Sequence, residues 1–241
     1  MDNLSIPMIP GQPTCLLKQK KRSLPSNVHT EPITASTLAS YRRLITLLLP
    51  IRYPDRFYKD SVADITDSSL ARVAIWQETD AHKSSHISEI PAFHGNHTTS
   101  EKKVAGGIQC RLEDVPSSPA GESQLYIQTV GVLAPYRQLG IATYLLEDII
   151  STIIDHYENV TSVYAHVWEA NTDALEWYNQ RGFSIEKEIL EGYYRRLKPT
   201  GARIVRRGIT IEDHVAARER HIKSAMIPQD DDANVAIVKD I

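Results

Sequence analysis

One stretch, Leu125 to Tyr144 (LYIQTVGVLAPYRQLGIATY), constrains the fold more than any other, because it sets a strand, a turn and a helix end to end. Leu125–Leu133 is rich in β-branched and aromatic residues and carries no charge, which reads as a buried strand. Pro135 ends it, Arg137-Gln138-Leu139-Gly140-Ile141-Ala142 turns, and Thr143–Tyr157 has the apolar spacing of an amphipathic helix. Glycine and alanine lack side-chain bulk, so backbone N–H groups at such a helix start can close around a pyrophosphate, with Arg137 adding a charge-assisted contact. From the residues alone, the same hexamer also describes a plain helix start that carries Gly140.

The composition suits one soluble domain with tails: 241 residues, 41% hydrophobic, 24% charged. A net charge of −3 argues against nucleic-acid binding by bulk electrostatics. No apolar run approaches the roughly 18 residues of a membrane span, and the N-terminus lacks the apolar core of a secretory signal. With only Cys15 and Cys110, a reducing location is expected, cytoplasmic and in part nuclear.

Residues 1–27 are proline-rich, hold the basic cluster Lys18, Lys20, Lys21 and Arg22, and read as a disordered tail. That cluster fits a nuclear-import or ribosome-contacting patch, or simply a solvated tail. Val28–Ile33 reads as a strand, and Leu38, Tyr41, Leu44, Ile45, Leu48 and Leu49 as a helix face stopped by Pro50. Pro50-Ile51-Arg52-Tyr53-Pro54 is a stiff loop, suited to a binding wall or to an ordinary helix connection, before a short helix over Asp55–Ala63. Leu70–Gln77 and Val104–Leu112 read as strands around a polar insert, residues 78–103. The insert holds His82, His86, His94 and His97, but no cysteine or rigid scaffold accompanies them, and no metal is expected.

Beyond a polar loop and the opening stretch, Val160–Trp168 alternates Val163, Ala165 and Val167 against Tyr164, His166 and Trp168, as a strand does. Asn171 is placed to cap a helix ending near Gln180, with Gly182 as its C-terminal stop. Phe183–Glu188 and Tyr193–Leu197 read as a final hairpin through Gly192. Residues 200–241 read as an extension, with a helix over Ile211–Met226 that by default is a frayed, charged surface helix but could dock on the core or on a partner, and an acidic break at Asp230–Asp232. The whole is an α/β chain, a mixed layer of helices on one sheet.

The hexamer and the order of elements resemble the GNAT superfamily of N-acetyltransferases, whose pyrophosphate loop reads Q/R-x-x-G-x-G/A. Within it the chain is most similar to the Met-Leu-directed protein N-terminal acetyltransferases of the NatE catalytic-subunit branch. Pro50-Ile51-Arg52-Tyr53, Phe57-Tyr58-Lys59-Asp60, Leu125-Tyr126-Ile127, Leu133-Ala134-Pro135-Tyr136-Arg137, Tyr164-Ala165-His166-Val167 and Tyr193-Tyr194-Arg195 carry the resemblance, over residues 28–199. It implies a GNAT fold, a mixed but mostly antiparallel central sheet flanked by helices, and direct attack of a peptide α-amine on acetyl-CoA.

By that resemblance Tyr126 and His166 relay the proton, although spacing alone would make them packing residues. The same resemblance puts Val130, Val132, Arg137, Gln138, Gly140, Ile141, Ala142, Thr143, Asn171 and Tyr178 against acetyl-CoA. It builds the peptide wall from Leu49, Pro50, Ile51, Tyr53, Gln128, Tyr193, Tyr194 and Leu197. Implied partners are peptide or nascent-chain N-termini and a ribosome-associated NatA-type complex, with no nucleic acid and no membrane. Two positions depart from the branch: Leu49 stands where it has phenylalanine and Gln128 where it has methionine. They bear on the preferred first residue, and leave open acetylation of lysine or small amines, or a weakly active CoA-binding adaptor.

Overall fold

The computed structural model describes residues 24–62, 66, 69–77, 102–116, 118 and 121–225. The basic cluster, Cys15, the four insert histidines and the acidic break lie outside the described residues. Seven strands form one sheet: β1 (Val28–Pro32), β2 (Ala71–Gln77), β3 (Lys102–Asp114), β4 (Ser123–Val132), β5 (Val160–Trp168), β6 (Ser184–Leu190) and β7 (Ala202–Gly208), in the order β1-β2-β3-β4-β5-β7-β6. Every neighbouring pair is antiparallel except β4 and β5. Parallel strands need a crossover, and here it is helix α3, numbered after α1 (Leu38–Leu48) and α2 (Asp55–Asp60) and spanning Ile141–His156. Helices α4 (Thr172–Asn179) and α5 (Ile211–Ala225) complete the expected mixed layer.

The sheet separates two apolar clusters. On one face α3 buries Leu145, Ile149 and Ile153 against Leu125, Ile127, Val163, Ala165 and Val167, the β5 alternation expected from the sequence. On the other face Tyr41, Leu44 and Ile45 of α1 and Phe57 and Tyr58 of α2 cover Val73 and Ile75. Each fully buried aliphatic or aromatic side chain contributes about 1.5–3 kcal/mol.

A buried polar knot registers α1 and α2 on the sheet. Tyr41 Oη donates to Gln109 Oε1 (3.2 Å), its oxygen meets Thr129 Oγ1 (2.9 Å), and Gln109 Nε2 donates to the Phe57 carbonyl (3.0 Å). Gly107 leaves room for the ring: a Cβ there would lie 2.9 Å from Tyr41 Cε2 and 3.3 Å from the Arg72 carbonyl oxygen. Because the knot keeps the ring from moving aside, Gly107→Ala is expected to cost about 1–3 kcal/mol of stability. Denaturant titration checks this, and an unchanged midpoint would refute it.

Three expectations need correction. Tyr193–Leu197 is not a strand: Gly192 turns at φ +72°, and the bonds Tyr194 N–H to Thr200 O (2.8 Å) and Leu197 N–H to Tyr194 O (3.0 Å) close turns between β6 and β7. The partner of β6 is β7, which lies beyond the boundary drawn at residue 199 and also pairs with β5. Arg203, Arg206 and Arg207 disguise this strand, whose Ala202 and Val205 are wholly buried while the guanidinium heads reach partners at its margins.

The second correction is α5, where the default of a free surface helix gives way to the docked alternative, although most of its residues stay exposed. It lies along α3 with Ala217 buried, Arg220 paired with Glu147, and Asp213 gripping Arg207 at 2.7 and 3.0 Å. Third, α3 starts at Ile141 rather than Thr143, because Gly140 is its N-cap residue at φ +84°. Only glycine takes that backbone angle without a steric penalty.

Candidate functional site

The site begins with one extra residue. Cys110 of β3 pairs with Ile127 and Gln109 with Thr129, so Gln128 is a β-bulge. The bulge turns the strand over: Ile127 packs on the α3 side, whereas Thr129 faces Tyr41 under α1. The parallel ladder of β4 with β5 stops at Ile127 and Ala165, while β4 continues beside β3 to Val132 and β5 beside β7 to Trp168. The strands part, and the β5-facing edge of residues 128–132 has no strand partner among the described residues.

Tyr126 and His166 stand at the point of parting. His166 Nδ1 lies 3.1 Å from Tyr126 Oη, and Tyr126 Oη lies 3.0 Å from Tyr193 Oη. With the imidazole hydrogen on Nε2, Tyr126 donates to Nδ1 and accepts from Tyr193, giving a continuous chain. Aromatic packing holds it: His166 stacks on Tyr193 at 4.5 Å, Tyr126 stacks on Tyr164 at 4.9 Å, and Arg111 lies over Tyr126 at 5.1 Å. Tyr194 Oη donates to the His166 carbonyl (3.0 Å), which ties the β6–β7 connection to β5.

Burial lowers the His166 pKa below the ordinary histidine value; the Glu113 carboxylate opposes this, and the Arg206 and Arg111 guanidiniums reinforce it. The imidazole is therefore neutral near pH 7, as a proton acceptor must be. Burial, and then the Tyr193 hydroxyl, raise the Tyr126 phenol far above its usual range. Tyr126 is therefore a neutral hydroxyl near pH 7. Tyr164, whose hydroxyl donates to Glu113 and whose ring lies under Arg206 at 4.7 Å, is likewise pushed up, chiefly by burial.

Past the bulge, a 3₁₀ turn over Ala134–Tyr136 leads to Gln138 at φ +62° and to Gly140. Among the described residues no side chain caps α3, so the N–H groups of Ile141, Ala142 and Thr143 are available to donate to an anion. Arg137 Nε donates to the Val132 carbonyl (3.1 Å) and so folds back along the turn. Val130 and Val132 pack their side chains on the α3 side. Asn171 caps α4 as expected, its Oδ1 accepting from Ala174 N–H (3.1 Å). Tyr178 is a core residue against Phe183 at 5.0 Å, and its hydroxyl feels both the Cys110 thiol and the Tyr194 phenol.

On the opposite side, Tyr53 stacks on Phe57 at 4.3 Å and makes a long 3.4 Å contact to the Gln128 carbonyl. Leu49 sits at the edge of the α1 cluster, Ile51 and Leu197 are half-buried, and Pro50 is exposed. Tyr193 is 43% exposed, so the hydroxyl chain opens directly to solvent on this side. Sequence reasoning missed Tyr164, Glu113 and Arg206 behind Tyr126, and also Arg181. The Trp177–Arg181 spacing of four was the available signal for the last, since a helix turn brings such a pair face to face. Among the described residues no three His, Cys, Asp or Glu side chains gather as a metal site.

Where β4 and β5 part, the arrangement sets the start of α3 on one face of the sheet and the Tyr193–Tyr126–His166 cluster on the other. The Acetyltransferase (GNAT) family model matches residues 56–183. The chain is 27% identical over 182 residues to the probable N-acetyltransferase san of Drosophila melanogaster, covering 76% of this chain and 81% of that protein. It is also 27% identical over 177 residues to N-alpha-acetyltransferase 50 of Danio rerio, covering 73% and 86%. Among solved structures, Arabidopsis thaliana Naa50 in complex with the bisubstrate analogue CoA-Ac-MVNAL superposes with a TM-score of 0.57 at 27% identity, over 76% of this chain and 99% of that one. Fold and family model agree, and the chain belongs to the acetyltransferase (GNAT) family of acyltransferases, in which its close relatives include N-alpha-acetyltransferase 50.

Proposed function

We propose that this protein transfers the acetyl group of acetyl-CoA to the α-amine of peptides that begin with methionine followed by an apolar residue such as leucine. The observation that carries this reading is the Tyr193–Tyr126–His166 chain, set where β4 and β5 part and reachable from the side opposite the α3 turn. A diphosphate suits the uncapped start of α3 with Gly140, Ile141, Ala142 and Thr143, flanked by Arg137 and Gln138. In this reading Asn171, the cap of α4, comes beside the cofactor's thiol end while Tyr178 supports it from the core, and backbone groups of Val130 and Val132 lie along the open strand edge. The relative solved with CoA-Ac-MVNAL carries both halves of such a reaction in one molecule, which supports the assignment.

The chemistry asks little of the base. A peptide α-amine has a pKa of about 7.7–8.0, against about 10.4 for lysine, so a neutral imidazole accepts its proton readily. The amine nitrogen forms a bond to the thioester carbonyl carbon, the C–S bond breaks, and the thiolate leaves. The amine's proton moves to Tyr126 as Tyr126 passes its own to His166, so the tyrosine stays uncharged. The backbone edge near Val130 offers N–H donors to the carbonyl oxygen.

A test uses acetyl-CoA with peptides whose N-termini are free or blocked. Acetylation of a free Met-Leu terminus is expected, and none when it is blocked; modification of internal lysine alone would overturn the reading. The wall also makes a finer prediction. Leu49, Ile51 and Leu197 are apolar, but Gln128 brings a half-buried amide whose side chain makes no hydrogen bond among the described residues. Burying methionine against such a group leaves it unsatisfied, so Gln128→Met is expected to raise kcat/KM for a Met-Leu peptide by about tenfold. An unchanged kcat/KM would remove Gln128 from the first-residue pocket.

A further inference from the structure

Arg181 follows α4 and precedes Gly182, yet its guanidinium works on another helix. Nε and Nη2 both donate to Thr143 Oγ1 (2.9 and 2.6 Å), and Nη1 donates to the Trp177 carbonyl (2.6 Å). The group also lies flat over the Trp177 ring, 4.1 Å from its centre. Its partners are a hydroxyl, a carbonyl and an indole; among the described residues it makes no ion pair, since the nearby Glu147 carboxylate is taken by Arg220.

This placement is electrostatically unfavourable on its own. Thr143 is in the first turn of α3, where the helix dipole is positive and a cation is disfavoured. Burial accordingly pulls the guanidinium pKa below its usual value, only partly offset by Glu147. A half-buried cation beside an uncapped helix start is balanced by an anion arriving at both. Two N–H donors on Thr143 Oγ1 also occupy its lone pairs, which turns the hydroxyl hydrogen outward as a donor.

We propose that Arg181 is a positioning residue for the cofactor diphosphate, clamping α4 to the first turn of α3 and setting the Thr143 hydroxyl to donate to a phosphate oxygen. This rests on the acetyl-CoA reading above. The clamp joins the two elements between which the cofactor runs, α3 at its diphosphate and α4 beside its thiol end, and leaves the Tyr126–His166 chain untouched. Arginine is needed for this, because a lysine ammonium lacks the fork that grips one oxygen from two nitrogens.

Arg181→Met tests it, since the thioether chain still covers Trp177 while the charge and the fork are lost. Calorimetric titration with CoA is expected to show about tenfold weaker binding, with a shallower dependence on salt. KM for acetyl-CoA rises in parallel while kcat stays within about twofold. Arg181→Lys restores the salt dependence but regains only part of the affinity. Equal CoA affinity in wild type and Arg181→Met would overturn the inference, as would a fall in kcat and melting temperature with affinity intact. Failure of the wild type itself to bind CoA would instead overturn the acetyl-CoA reading beneath it.

Discussion

His166→Ala is expected to lower kcat for peptide acetylation by about 10²–10⁴-fold, the usual contribution of a positioned general base, while leaving CoA affinity within about twofold. The imidazole touches Tyr126, stacks on Tyr193 and alternates along β5 with the side chains that face α3, so its loss is expected to remove proton transfer without disturbing the α3 turn. The pH profile adds a second readout. Burial depresses the His166 pKa, so the neutral base is present at and above the ordinary histidine value and is lost only as pH falls below it. In the wild type, kcat/KM should therefore rise through two ionisations, one below about 6.5 and one near the amine's 7.7–8.0. In His166→Ala the lower one should vanish. Normal turnover in a folded His166→Ala protein would exclude the imidazole from the reaction.

Tyr126→Phe comes next in size. Phenylalanine preserves the stack on Tyr164 and the contact with Arg111, and deletes only the hydroxyl shared by His166 and Tyr193. A loss of about 10²-fold in kcat is expected. Tyr193→Phe removes the end of the chain rather than its middle and should cost about threefold or less, the scale of one solvent-exposed hydrogen bond. Because Tyr126 and His166 act on one proton, the double variant should be no slower than His166→Ala alone. Additive losses would show that Tyr126 works independently of the imidazole. Equal losses for Tyr126→Phe and Tyr193→Phe would refute the central place given to the Tyr126 hydroxyl in the chain.

Much of this was legible in the chain because its signals were local. Alternation along Val160–Trp168 set Val163, Ala165 and Val167 against the core, and the spacing of Tyr41, Leu44 and Ile45 did the same for α1. Asn171 was readable as a cap because capping depends on the side chain and the next turn alone. The apolar pattern leaves no trace of one unpaired residue, so a bulged strand near Val130 came only from the family resemblance, and the partner strand places the bulge at Gln128. Strand β7 was hidden by arginines whose charges find partners outside the strand itself. The closeness of Tyr126 to Tyr193 depends on the β6–β7 connection reaching back across β5, and no periodicity reports such a reach.

The position of β7 bears on how the protein comes into being. It follows β5 and β6 in the chain but lies between them in the sheet. Chains emerge during synthesis from the N-terminus and fold as segments become available. Until the residues up to Gly208 have appeared, β5 and β6 have no neighbour on their facing edges, and the sheet remains in two parts. The last strand is then a wedge, and its insertion fastens the loop that carries Tyr193 and Tyr194 over His166. Completion of the sheet and the docking of Tyr193 and Tyr194 on His166 are thus one event.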